Sequence, residues 1–332
     1  MRPCRDRITA AGAIAGVFML GVPAGAQAQS APSDDQPRTH WGVPDFSGVY
    51  AEYTTAPLER PEEFGDREYL TDDEFAELER RRLQPIELNP ATSDTTPGTA
   101  ADVHYNFDQF ALGANEGVSS PNRRTSIVTM PSNGRVPELL PAAAERRQAM
   151  AAQRRGREFD GPEFRSLTER CIVWSSTLPP ILPGGYNSNL QIFQSPGYVF
   201  IQAEMGDPRV IPTDAGELPD DLLPQWNGTS VGHWDGDTLV IETAGFRPET
   251  AWRGGSENLR VTERITRIGE DTLEYAFTVE DPDTWAEPWG GIYPLTEMDG
   301  VLFEYACTEG NYGMANILSG ERAAEREAAA GE

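Results

Sequence analysis

The stretch NGTSVGHWDGDTLVIE, residues 227–242, decides how this chain is read. Its first half, Gly228-Thr229-Ser230-Val231-Gly232, matches G-x-S-x-G, the nucleophile-elbow pattern of serine hydrolases. An elbow needs a strand, a strained turn at the serine, and a helix whose N-terminus helps build the oxyanion hole. Here Ser230 is followed by alternating residues, by Asp235-Gly236, and by the β-rich run Thr238 to Glu242. Asp-Gly between alternating apolar residues signals a hairpin. The stretch therefore predicts two antiparallel strands and no elbow. With Asp235-Gly236 as the loop, His233 opposes Thr238 and shares a face with Val231, Val240 and Glu242. Trp234, Leu239, Ile241 and Thr243 form the other face.

The same grammar extends outward. FSGVYAEY reads as a first strand and RTSIVTMP as a short one. LQIFQ and YVFIQAE flank Pro196-Gly197, and RVIPTD follows. NLRVTERITRI and TLEYAFTVED form a long hairpin, and VLFEYAC reads as a last strand. From residue 165 on, about eight sequential strands joined mostly by tight turns predict a mainly β, up-and-down calycin- or lipocalin-like barrel with a few peripheral helices. One helix opens at Thr71 and Glu74, a capping box. A second runs from Pro141 to a stop at Gly156, and a third covers NILSGERAAEREAAA.

Four regions follow: a signal peptide (1–28), a linker (29–44), an N-terminal helix and loop region packing on the barrel (45–164), and the barrel with its C-terminal helix (165–332). In the first, Arg2, Arg5 and Arg7 precede an apolar run that ends at Ala26-Gln27-Ala28, a small-x-small cleavage pattern. The run is too short to span a bilayer, so a periplasmic or secreted protein without membrane insertion is expected. VHYNFDQFALGANEG, residues 103–117, reads as a loop whose aromatics pack.

Cleavage leaves Cys171 and Cys307, in an oxidising compartment most simply one disulfide. Net charge is −26, which disfavours nucleic acid and anionic membranes; it favours neutral or cationic partners or, as the default reading, serves only solubility. Lysine is absent, which excludes Schiff-base and pyridoxal chemistry, a Walker lysine and a Ser-Lys dyad. The three histidines lack ligand spacing, so neither a metal site nor an organic cofactor is expected. The acidic run EDPD lacks the regular spacing of a Ca²⁺ loop. Nothing in the sequence sets the oligomeric state.

Two carboxylates interrupt apolar stripes. Glu263 alternates with Leu259, Val261 and Ile265; Asp281 ends the stripe of Leu273, Tyr275, Phe277 and Val279. Facing a barrel interior, such groups suit general acid or base work. The plainer reading pairs each with an inward Arg, or makes Asp281 a strand end before Pro282. Glu309, Tyr312 and His233 complete the candidate catalytic set. Asn311, Trp285, Trp289, Tyr275 and Trp234 are candidate substrate contacts, with Trp285 and Trp289 on a Pro/Gly-rich loop that either forms a ligand mouth or plugs the barrel. Glu309 and Asn311 also suit a helix cap. Two functions follow. One is a cofactor-independent acid–base enzyme (lyase, hydratase, isomerase or hydrolase) acting on a small neutral or aromatic molecule. The other is a non-catalytic, lipocalin-like carrier of a small apolar ligand.

PDFSGVY, RTSIV with GRVP, ERC, WNGTSVGHWDGDTLV, TVEDP and EYACTEGNY resemble a large, uncharacterised family of exported bacterial proteins. The resemblance covers about Pro44 to Arg322. It implies secretion and a paired Cys171–Cys307, and it implies no particular activity. The family has Arg at the position of His233 and His at that of Thr308. A family imidazole beside Glu309 is thus missing here, and His233 is a local feature.

Overall fold

Alternation of apolar and polar residues builds ten strands, and their order closes them on themselves. The computed structural model describes residues 36–82, 120–174, 177–184 and 189–331. The leader (1–28), the linker up to residue 35 and the aromatic stretch 103–117 lie outside them. The strands are β1 (Gly48–Ala51), β2 (Val128–Met130), β3 (Leu190–Ser195), β4 (Tyr198–Ala203), β5 (Arg209–Pro212), β6 (Thr229–Asp235), β7 (Thr238–Ala244), β8 (Arg260–Arg267), β9 (Thr272–Glu280) and β10 (Trp289–Glu297). All pair antiparallel in one sheet, ordered β5-β4-β3-β1-β10-β9-β8-β7-β6, with β2 beside β10. Apart from β2, every strand lies next to its neighbours in sequence, which is the order of an up-and-down barrel. The N-terminal region, read from the sequence as helix and loop, thus supplies two strands, β1 and β2.

Closure is nearly complete. The gap falls between β5 and β6, which share no ladder among the described residues. A Cβ on Gly232 would lie 3.0 Å from the Ile211 methyl and 3.5 Å from that of Thr213, so the glycine lets these two edges pack. Inside, Leu239, Ile241, Val261, Ile265, Leu273, Tyr275, Phe277, Val279, Tyr293 and Leu295 form one buried core with Leu190, Ile192, Val199 and Ile201.

Three helices stand outside the sheet among the described residues: α1 (Asp72–Arg82), α2 (Pro141–Arg154) and α3 (Gly313–Gly331). The capping box at α1 forms in both directions. Thr71 N–H donates to Glu74 Oε2 (2.8 Å), and Glu74 N–H donates to Thr71 Oγ1 (3.3 Å). Cys171 and Cys307 are disulfide-bonded, with Cα atoms 5.7 Å apart. No helix of the described residues is long and apolar enough to cross a membrane.

Three expectations need correction. VLFEYAC is not a strand; it runs as irregular chain tied by the Tyr305 N–H to the Glu204 carbonyl (3.0 Å). The hairpin loop is Gly236-Asp237, with Asp235 opposite Thr238, so His233 opposes Val240 rather than Thr238. The two faces are unchanged, because the pairing shift is even. Finally, Trp289 is not on a loop but opens β10 (Trp289–Glu297), the strand that joins β9 to β1.

Pro294 and Gly290-Gly291 hide β10 in the sequence, and tertiary contacts explain both. Ile292 N–H donates to Ile127 O (2.9 Å) and Thr296 N–H to Ser120 Oγ (2.8 Å). Pro294, midway between them, turns its missing donor toward the interval separating β2 from β1, where a proline costs no ladder bond. A Cβ on Gly290 would fall 2.2 Å from Phe277 O, and one on Gly291 2.6 Å from Ile127 O, at a register shift. Gly290→Ala should therefore destabilise the fold by roughly 3 kcal/mol. Gly320→Ala in α3, with open space around it, should be neutral or stabilising by up to about 1 kcal/mol. Urea unfolding of both variants checks the contrast.

Candidate functional site

Glu263 projects from β8 into the barrel and is fully buried. Arg209, at the start of β5, reaches it from across the open seam. Arg209 Nη1 donates to Oε1 (2.9 Å) and Nη2 to Oε2 (2.6 Å), the bidentate fork that suits a carboxylate. Burial, the largest influence, would lower the Arg209 pKa; the Glu263 charge and its hydrogen bonds together offset it and hold the guanidinium above its ordinary value. Nη2 also donates to Ser230 Oγ (3.1 Å) and Thr243 Oγ1 (3.3 Å), and those hydroxyls lie 2.8 Å apart. One side chain thus ties β5 to β6, β7 and β8.

Ser230 is accordingly a seam residue. No helix follows it, and its hydroxyl is engaged by Thr243 and Arg209. Gly228 sits at φ +69°, where a Cβ would meet Ala244 O at 2.9 Å, and Gly232 accommodates β5. The G-x-S-x-G match is the closure of a barrel.

The network continues inward. Tyr275 O–H donates to Glu263 Oε1 (2.7 Å) and accepts from Ile181 N–H (2.9 Å), while Tyr293 O–H donates to Ile181 O (3.1 Å). Gly184 N–H donates to the buried Glu52 carboxylate (2.8 Å). Residues 181–184 are therefore held by groups of the barrel, with the Ile181 side chain in the core. Burial, reinforced by Glu263, pushes the Tyr275 pKa well above the usual 10; burial, with Glu52 and Glu263, does the same for Tyr293.

Asp281 is also buried, beyond the end of β9, four residues past the partner of Glu263 and so roughly 13 Å along the strand. Its Oδ1 accepts from Ser256 Oγ (2.7 Å) and Asp283 N–H (3.1 Å), its Oδ2 from Ser256 N–H and Thr284 Oγ1 (both 2.6 Å). Four donors fix it as the organiser of a turn. The two carboxylates are not brought together.

The other sequence candidates disperse. His233 stands exposed on the outer face of β6. Glu309, Asn311 and Tyr312 lie on the surface beside the disulfide, where Asn311 Nδ2 contacts Cys171 Sγ (3.3 Å); Tyr312 is 75% exposed. Trp285 and Trp289 are buried and pack with Trp252 at the end of the barrel away from the Gly236-Asp237 turn (ring centroids 4.7–6.1 Å), so they plug it. Trp234 alone lines an open cleft.

That cleft lies at the turn end, with a volume of about 150 Å³, walled by Trp41, Val43, Tyr198, Val199, Thr213 and Trp234, with Gln194, Ser195, Gly197 and Asp214. Gln194 is committed to structure: it accepts from Phe46 N–H (2.6 Å) and donates to Pro44 O (3.0 Å). Asp214 is exposed and makes no hydrogen bond or ion pair among the described residues. Sequence reasoning missed Trp41, Tyr198 and Asp214, because only the fold brings residues 41, 198, 214 and 234 to one place. Arg209 left a faint signal: an arginine two residues before Ile211 in a short strand, on the inward parity.

Two consequences are measurable. Arg209→Met alone strands the Glu263 charge and should cost about 3–5 kcal/mol; adding Glu263→Leu should recover most of it, read from denaturant midpoints. At alkaline pH, Tyr50, raised to about 12 mainly by burial, joins Tyr275 and Tyr293. The unfolded chain loses these protons from about pH 10 and the native state does not. Stability is therefore intact below pH 10 and falls above it, by up to about 4 kcal/mol per pH unit. Tyrosinate absorbance from Tyr275 and Tyr293 should appear only with unfolding.

The chain matches no family profile, no curated protein and no solved structure.

Proposed function

We propose that this protein is an exported barrel that binds a small molecule without transforming it, the ligand occupying the Trp41–Trp234 cleft. One contrast carries the reading. Both oxygens of Glu263 and both of Asp281 are already engaged by protein donors inside packed structure, whereas the cleft combines aromatic walls with an uncommitted polar group. Aromatic walls with few polar groups suit small-molecule recognition. A 150 Å³ void takes a benzene-sized body. Export is supported by the basic, apolar and small-residue succession of residues 1–28 and by the cystine.

The acid–base enzyme reading needs Glu263 or Asp281 to reach a substrate, which means breaking a guanidinium fork or a four-donor turn. The decisive experiment is native mass spectrometry of protein purified from the periplasm, with tryptophan fluorescence titration of any ligand found. A small co-purifying molecule should be retained by Asp281→Asn and lost from Trp41→Ala. Turnover of any substrate by the wild type, abolished in folded Asp281→Asn or Glu263→Gln, would overturn the proposal in favour of catalysis.

A further inference from the structure

We infer that the cleft selects a small organic cation, of the methyl-substituted ammonium type. The inference rests on the cleft being the ligand site. Its charged lining is one carboxylate: no Arg, Lys or His contributes to the wall. Asp214 lies against the β3–β4 turn, its Oδ2 3.1 Å from where a Cβ on Gly197 would sit, and Gly197 at φ +81° leaves that space open. Arg38, on the same segment as Trp41, is already paired with Asp237 (2.5 Å), so it does not neutralise Asp214.

The same cleft is lined by three electron-rich rings, Trp41, Tyr198 and Trp234. Trp234 packs against Phe46 (5.4 Å between centroids), and Trp41 meets His40 in a T-shaped contact (4.6 Å). Ring faces attract cations through their quadrupole, and a methylated ammonium needs no hydrogen-bond acceptor. A bare calcium or magnesium ion favours a cage of about six or more oxygen ligands, and the charged lining here is one carboxylate. An anion would meet a carboxylate and ring faces. The volume fits a head group of benzene size, and the surplus of negative charge over the whole chain raises the local concentration of cations.

The test compares choline with the neutral alcohol in which carbon replaces its nitrogen, by calorimetry and tryptophan fluorescence on the mature protein. Choline should bind at least about tenfold more tightly than the alcohol and weaken with added salt. Asp214→Asn, an exposed isosteric change, should remove that preference and leave the alcohol unaffected; Trp41→Ala should weaken both, with circular dichroism verifying the fold. Equal binding of the two by the wild type would overturn cation selectivity while leaving the cleft as the ligand site. Choline binding unchanged in both variants would place it elsewhere and overturn the inference. Binding of neither, with a co-purified ligand insensitive to Trp41→Ala, would sink the cleft itself.

Discussion

The barrel depends on one buried ion pair. Nine strands follow one another around the wall, yet between β5 and β6 the ladder of main-chain bonds is interrupted. Arg209 spans the interruption, and Glu263 is the counter-charge that makes its burial tolerable. Removing two charges from water is costly, and only a bidentate fork with further hydrogen bonds compensates it. The hydroxyls of Ser230, Thr243 and Tyr275 supply those bonds. Specificity is the gain: a fork that fits one carboxylate fixes which edges meet and in what register.

From Glu263 the same network governs the interior. Tyr275 and Tyr293 hold the backbone of Ile181 between them, so a proline-rich connection becomes part of the core. A barrel filled this way is a scaffold more than a calyx, and the cleft proposed as the ligand site lies at its rim. There the N-terminal segment with Trp41, the β3–β4 turn, the end of β5 and β6 converge. Pocket chemistry and barrel closure share strands but not side chains, which lets the rim vary without unpinning the seam.

Much of the wall was legible in the residues. Alternation in Leu259–Ile265 and Leu273–Val279 placed Glu263 and Asp281 on inward faces, where both are buried. The capping box at Thr71 and Glu74 located α1, and two cysteines after a leader pattern pointed to the cystine. β10 was not legible, because a proline and two glycines are strand breakers unless one knows that Pro294 faces a gap and that Phe277 O and Ile127 O approach the glycines. Nor was VLFEYAC: its composition suits a strand, but no ladder forms along it among the described residues, and β propensity expresses cross-strand packing rather than a backbone preference.

Local rules of period and turn chemistry are written in neighbouring residues, so the sequence by itself determined that this chain is an antiparallel barrel with flanking helices. It also determined that lysine-dependent chemistry is outside its reach. The fate of each polar group was a tertiary decision. Whether Glu263 is a proton donor or a fastener depends on Arg209, more than fifty residues earlier in the chain and adjacent only after the sheet curls. Whether Ser230 is a nucleophile or a seam hydroxyl depends on Thr243 across the hairpin. A side chain's chemistry is set by what surrounds it, and what surrounds it is fixed by closure.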